Sequence, residues 1–260
     1  MTILTELNSS PTRFYIKDYG FYEPKNFNSL YANQDINMLE AIAYSDNIYA
    51  VKTGLLVGST DLSNLLDSFD IKYINTPSSF LGSISTSLLK LTSMYNCLAS
   101  EGKYYKPSYI ESIYKNDGTL IYKNNLSFNP ILSKNETIIL NQALTSTFDK
   151  NLQGYTKPSL LNYQTKRKFA AKTGTTKQDN YVIGYNPSFT IGVWVGDINN
   201  NELNEPGKAK KIFQDLANNI SLSSSWYSKT SVMKEKKIDP NTGLESSNGS
   251  SYYFLKKWDK

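Results

Sequence analysis

Histidine is absent from all 260 residues of the chain, and cysteine occurs once, as Cys97. The first absence removes every Ser-His-Asp or Cys-His arrangement, every imidazole base and every histidine-ligated metal site. The second forbids an intrachain disulfide and any zinc cluster built on cysteines. No metal and no cofactor is therefore expected. No continuous apolar run approaches the roughly 18–20 residues that cross a bilayer. Met1 to Thr12 hold no basic segment followed by an apolar one, so no secretory leader or anchor is legible and the chain alone reads as cytoplasmic. A strong charge of one sign is missing too: 28 Lys and Arg face 23 Asp and Glu, a formal net charge of +5. The cations are scattered, and the densest runs (Lys208 to Lys211, Lys234 to Lys237) are short. That argues against a nucleic-acid partner, and these runs read as solvated.

What is present suits a packed domain. The chain is 39% hydrophobic and 20% charged, within the globular range and outside the disordered one. Its length accommodates one large domain or two small ones. Residues 13–35 show no clear period and read as an ordered loop. Asn37 and Glu40 then form an Asn-x-x-Glu capping box, with Met38, Leu39, Ile42 and Ala43 on an apolar side. Ser45-Asp46-Asn47 interrupts the helical pattern, which resumes through Ile48, Val51 and Leu55 and stops at Gly58. Thr60 or Asp61 is expected to cap a further helix with Leu62, Leu65, Leu66 and Phe69 inward. Leu88, Leu91, Met94, Tyr95 and Leu98 mark the next, closed by Gly102 as its C′ glycine.

The period then changes. Tyr109–Tyr114 and Thr119–Tyr122 flank Asn116-Asp117-Gly118, a hairpin signal. Ser133 and Glu136 form a second capping box before a helix to about Phe148. Phe169–Thr176 and Phe189–Asp197 read as strands; in the second, Phe189, Ile191, Val193 and Val195 alternate with smaller or polar positions. Ile212, Phe213 and Leu216 suggest a short amphipathic helix over that sheet. Helices followed by a β-meander and a closing helix predict an α+β fold. Residues 1–220 are expected to carry the functional domain. Residues 221–260 are expected to be a polar C-terminal tail with short ordered elements near Tyr252–Trp258.

Two short motifs could carry chemistry together. One is Ser45-Asp46-Asn47, between two helical runs; alone it is a polar helix–helix turn. The other is Lys172-Thr173-Gly174-Thr175-Thr176, ending a strand. Lys52-Thr53-Gly54 repeats the second pattern, but inside a helical run, where it reads as a helix face. Ser-Asp-Asn and Lys-Thr-Gly accompany a Ser-x-x-Lys nucleophile in penicillin-recognising serine enzymes. A chain without histidine must activate a serine by other means, and a lysine of lowered pKa can do so. Lys172 would supply a cation for an anionic substrate terminus, and Thr173 and Thr175 would donate to its carboxylate. Gly174 would let a peptide approach an open strand edge, and the Thr175 N–H is a natural oxyanion donor. Ser45 would relay a proton and Asn47 would hold an amide of the acyl side.

In order and over most of its length the chain resembles the transpeptidase domain of a class A, high-molecular-weight penicillin-binding protein. The resemblance runs from Tyr22-Glu23-Pro24-Lys25-Asn26-Phe27 through Leu39–Val51, then Ala99-Ser100-Glu101-Gly102 and Lys106-Pro107. It continues through Ala170–Thr176, Asp179, Tyr181 and Gly184–Pro187 to Gly192-Val193-Trp194-Val195-Gly196. It implies the fold shared with serine β-lactamases, incomplete at the N-terminus, with a helical part and an antiparallel sheet covered by helices. It implies Ser45, Asn47 and Lys172 as catalytic residues. Thr173, Gly174, Thr175, Thr176, Asp179 and Tyr181 (where the family usually has Trp) would bind substrate. The implied partners are peptidoglycan stem peptides ending in D-Ala-D-Ala, and β-lactams, at the outer face of the cytoplasmic membrane. The implied reaction is cross-linking by serine acyl transfer, with a non-catalytic remnant or split-gene fragment as the alternative. A D,D-carboxypeptidase or β-lactamase fits less well, given the Trp194 strand and the long stretch between Ser45 and Lys172.

In this family Ser-x-x-Lys lies upstream of the position of Tyr22, on a helix not found here. The two matches present, Ser87–Lys90 and Ser231–Lys234, fall at the start of a packing helix and in the tail, and are expected to be decoys. The chain alone is therefore expected to be inactive, with the missing segment supplied by another polypeptide if at all. That helix would pack against Ile42, so an open apolar face is expected there.

Overall fold

The computed structural model describes residues 1–199, 201–203, 205, 207–220 and 225–258. The chain opens with short strands β1 (Leu7–Asn8), β2 (Phe14–Ile16), β3 (Gly20–Tyr22) and β4 (Asp35–Ile36). β2 and β3 form a hairpin, and β1 pairs with β4. This corrects the reading of residues 13–35 as a loop. Strands of two or three residues offer no period to detect.

Helices α1 (Met38–Tyr44), α2 (Asn47–Val57), α3 (Ser59–Asp67) and α4 (Leu88–Ala99) follow. The Asn37–Glu40 box is made in both directions, at 3.1 and 3.0 Å. Helix α3 starts at Ser59, directly after Gly58, with no side-chain cap from Thr60 or Asp61. At the end of α4 the left-handed C′ residue is Glu101 (φ 56), not Gly102. Its N–H bonds Leu98 O at 3.2 Å while the Gly102 N–H bonds Cys97 O at 2.9 Å, the Schellman pair. Gly102 is needed one position later for space: a Cβ there would lie 2.1 Å from the Leu132 carbonyl oxygen.

β5 (Lys103–Tyr105), β6 (Ser112–Tyr114), β7 (Leu120–Lys123) and β8 (Phe128–Pro130) make an outer excursion, β5 pairing with β8 and β6 with β7. Helix α5 (Lys134–Ala143), capped by Ser133, continues as a 3₁₀ turn over Leu144–Phe148. The central sheet holds β9 (Ala170–Thr175), β10 (Asp179–Tyr185) and β11 (Thr190–Gly196), antiparallel in the order β11-β10-β9. β9 is an edge strand. α6 (Lys208–Asn219) closes the sheet, and β12 (Met233–Ile238) pairs with β13 (Ser250–Leu255).

Helices cover both faces of the central sheet. On one face, Ala209, Phe213 and Ala217 of α6 pack on Ala171, Val182 and Val193. Those three recur every four residues, so they form the inward stripe. Ile212 and Leu216, expected to face inward with Phe213, stay exposed. Burial of Phe213 requires Gly184: a Cβ there would lie 2.3 Å from the Phe213 ring. On the other face, Ala170 and Tyr185 meet Ala99 and Leu144. The short elements beyond residue 220 do more than cover polar surface. Met233, Ile238, Tyr252, Phe254 and Leu255 join Leu39, Ile138, Ile139 and Ala143 in one buried cluster. Cys97 is a buried core residue, its thiol pushed up to about 11 by burial. Among the described residues, no helix is long and apolar enough to cross a membrane.

Candidate active site

The site forms where α1 gives way to α2. Ser45 ends α1 in the left-handed conformation, φ 57 and ψ 50. A non-glycine residue there costs about 1–2 kcal/mol, so neighbouring contacts must hold it. The Asp46 N–H closes on Ala41 O at 2.9 Å, and the Asp46 side chain then caps α2 by accepting from the Tyr49 N–H at 2.7 Å. Asp46 is 2% exposed. Its second carboxylate oxygen accepts from Asn26 Nδ2 at 2.8 Å, from the Tyr155 hydroxyl at 2.7 Å, and from the Ser9 hydroxyl. Asn26 also takes the Asn47 N–H at 2.8 Å, and Asn47 Nδ2 donates to Lys25 O at 2.7 Å. Three segments distant in sequence, at Ser9, Lys25–Asn26 and Tyr155, thus fix the Ser45–Asn47 turn. Burial, and then the Asp46 charge, hold the Tyr155 hydroxyl well above the usual phenol range.

Lys172, on β9, brings the second motif to the first. Its Nζ donates to Ser45 Oγ at 2.7 Å, across 127 residues of chain, and to Thr173 O at 3.0 Å. Burial drives its pKa down to about 8, and the Lys210 charge adds to the effect. An ammonium so placed is near its titration point at mildly alkaline pH and can exchange a proton with the Ser45 hydroxyl.

Two cavities meet at Ser45 and Asn47. One, of about 520 Å³, runs along α1, α2 and α3 and is walled by Met38, Ile42, Val57, Leu62, Leu65 and Phe80, with Lys172 at its polar end. This trough lies on the Ile42 side expected to be open. The other, of about 630 Å³, is lined by Tyr155, Tyr163, Thr173, Thr175, Lys157 and Lys210, among others. Strand alternation explains the division. Thr173 and Thr175 share the α6 face of β9 with Ala171, whereas Lys172 lies on the opposite face, toward Ser45.

Ser45, Asn47, Lys172, Thr173 and Thr175 are therefore brought together, and Gly174 lies between the two threonines on the open edge of β9. A Cβ on Gly174 would meet only Tyr181 Cβ, at 3.6 Å. Thr176, Asp179 and Tyr181 lie at the β9–β10 turn and line neither cavity. Thr176 Oγ1 accepts from the Asp179 N–H at 2.9 Å, and Asp179 Oδ1 accepts from Trp194 Nε1 at 2.8 Å. The Tyr181 and Trp194 rings stand 6.4 Å apart. These contacts tie the three residues together at the sheet's end, beside the open edge of β9.

Lys52-Thr53-Gly54 lies within α2, as expected. Its face is not simply solvated, because a Cβ on Gly54 would strike the Phe80 ring at 2.2 Å. Ser87 caps α4, and Lys90 pairs with Asp70 at 2.8 Å. Ser231 precedes β12. Neither serine lines either of the two cavities that meet at Ser45. Ser9, Asn26, Tyr155 and Lys210 were not singled out from sequence. Among the described residues, no group of three Cys, Asp or Glu side chains could hold a metal.

A serine-linked lysine beside an open strand edge, on an α/β/α core, defines the class of penicillin-recognising acyl-transfer folds. The family model described as penicillin binding protein transpeptidase domain matches residues 6–220, and the chain belongs to that family. It is 32% identical to penicillin-binding protein 2D of Bacillus subtilis, over 98% of this chain and 39% of that protein. The chain thus spans about two fifths of that relative's length. Its fold matches the crystal structure of penicillin-binding protein 1A from Haemophilus influenzae (TM-score 0.80, 20% identity, 98% of this chain and 45% of that one). It also matches PonA1 from Mycobacterium tuberculosis in complex with penicillin V (TM-score 0.68, 16% identity, 96% and 70%).

Proposed function

We propose that the chain forms the peptide-binding and proton-relay part of a D,D-transpeptidase cleft, which cross-links peptidoglycan stem peptides at the outer face of the cytoplasmic membrane. The attacking serine of a Ser-x-x-Lys pair comes from residues outside these 260 and seats in the apolar trough beside Ser45. The observation that carries this reading is the 2.7 Å bond between Lys172 Nζ and Ser45 Oγ, made at the apolar trough by the serine that also lines the second cavity.

The D-Ala-D-Ala terminus of the donor peptide lies along the edge of β9, with its acyl-side amide at Asn47. The incoming serine oxygen attacks the penultimate carbonyl, and the Thr175 N–H faces the developing oxyanion. The serine proton passes through Ser45 and Lys172 to the leaving D-Ala nitrogen as the C–N bond breaks. An acceptor amine then attacks the ester, the serine oxygen leaves with a proton, and a new amide remains. A β-lactam stops the cycle at the ester.

One observation favours a second reading, a non-catalytic remnant: both internal Ser-x-x-Lys matches lie away from the cleft. Labelling with a fluorescent penicillin tests the two. The 260-residue chain is expected to remain unlabelled, and a longer polypeptide carrying the upstream segment to label stably. Stable labelling of the 260 residues alone would overturn the assignment of an external serine. Failure of the longer polypeptide to label would favour the remnant.

A further inference from the structure

We propose that Lys210, on α6, is the cation that reads the C-terminal carboxylate of the ligand, leaving Lys172 to serve Ser45. This rests on the reading that the larger cavity receives a peptide with a free C-terminus.

The argument begins with the faces of β9. Thr173 and Thr175, the hydroxyl donors suited to a carboxylate, open into the cavity that Lys210 lines. Lys172 lies on the other face, in the apolar trough, with two of its three N–H groups engaged by Ser45 Oγ and Thr173 O. A carboxylate seated on the two threonines therefore meets α6, and the cation α6 presents there is Lys210.

The state of Lys210 supports this. It is half-buried, with its ammonium 5.8 Å from the centre of the Tyr163 ring. Among the described residues no acidic side chain lines the cavity, whereas Lys25 and Lys157 line it as well. The acids of the neighbouring sequence are spent elsewhere: Glu205 on Lys208 at 3.5 Å and Glu202 on Lys177 at 2.7 Å. Asp215, five residues along α6, is rotated about 140° round the helix. Burial lowers the Lys210 pKa, and its charge in turn depresses that of Lys172. Half-burying a cation without an anion is unfavourable, and an anionic ligand relieves both costs.

The test is an NMR-followed titration of the 260-residue chain with N-acetyl-D-alanyl-D-alanine and, separately, with its C-terminal amide. The wild type is expected to bind the acid about tenfold more tightly than the amide, as one desolvated ion pair would give. Lys210→Met, which keeps the stem against Tyr163, is expected to bring the acid to the level of the amide and leave the amide within about twofold of wild type. Lys210→Arg is expected to retain the preference. Retained amide binding reports an intact cleft, and Lys210→Gln repeats the measurement should Met perturb folding. An acid preference that survives in Lys210→Met and Lys210→Gln overturns the inference. So does equal binding of acid and amide by the wild type, which leaves the cleft reading standing. Binding of neither ligand by the wild type overturns the cleft reading, and the inference with it.

Discussion

Asp46 offers the sharpest test of how the turn is held. Its carboxylate accepts four hydrogen bonds, three at one oxygen and the α2 cap at the other. Asp46→Asn changes the volume little but leaves a single acceptor oxygen. If the amide oxygen serves Ser9, Asn26 and Tyr155, its NH₂ faces the Tyr49 N–H and the cap is lost, at about 1 kcal/mol. If it serves Tyr49, three donors face an NH₂ group, which is worse. In the better orientation the three remaining bonds also lose their charge assistance, roughly half their strength. The sum is about 2–3 kcal/mol, or about 4–12 °C in Tm for a domain of this size. Tyr155→Phe removes one donor and should cost about 1 kcal/mol. The double variant should cost less than the sum, because the Tyr155 bond is then lost only once. Urea unfolding of the four proteins measures this. An Asp46→Asn midpoint indistinguishable from wild type, or strict additivity with Tyr155→Phe, would refute the network as the support of the Ser45–Asn47 turn.

Three further outcomes are expected. Burial pushes the Glu40 pKa up to about 7, so the native state binds the extra proton between about pH 4.5 and 7 and stability falls as pH rises through that window. Glu40→Gln should flatten this part of the Tm–pH curve while keeping the capping box. Lys172 behaves oppositely: with its pKa lowered to about 8, the unfolded chain binds more protons between about pH 8 and 10.5, and stability rises with pH there. Lys172→Met should abolish that rise in a Tm–pH series. Gly184→Ala drives a methyl into the Phe213 ring, where a Cβ would lie at 2.3 Å. It should cost about 1–3 kcal/mol in urea unfolding, and Phe213→Leu in the same chain should recover part of it.

The sequence carried the motifs and their immediate frames. Asn37 and Glu40 announce α1 because a capping box is local chemistry, and Ser45-Asp46-Asn47 breaks the helical pattern where the chain turns. Lys172 was legible because Phe169-Ala170-Ala171 marks a buried strand leading into a polar turn. The partners of Asp46 were not legible: Asn26, Ser9 and Tyr155 lie 20, 37 and 109 residues away. Such a network has no spacing rule, and its one hint was Asn26 within the segment that resembled the family. β10 carries no periodic signal of its own, since Val182, Ile183 and Tyr185 are buried on both faces and show no alternation, and only its resemblance to the family marks it. The β2–β3 hairpin is not legible either, its strands being too short to show a period.

The cations show most clearly where local reading stops. Lys208 to Lys211 is a run that composition assigns to solvent, and Lys208 and Lys211 are exposed. Lys210 is not, because α6 turns 100° per residue and points this one member of the run along the stripe that Ala209 and Phe213 begin. The same geometry that lets Phe213 fill the space beside Gly184 carries Lys210 to the mouth of the cavity beside Thr173 and Thr175. The strand that alternates Lys and Thr thus has a lysine beside each face: Lys172 toward Ser45 and Lys210 in the cavity of the threonines. A charge on α6 is thus tied to the packing of that helix. Substitutions that tilt α6, such as those at Gly184 or Phe213, should alter the preference for a free carboxylate along with stability, and a series of them should move the two together.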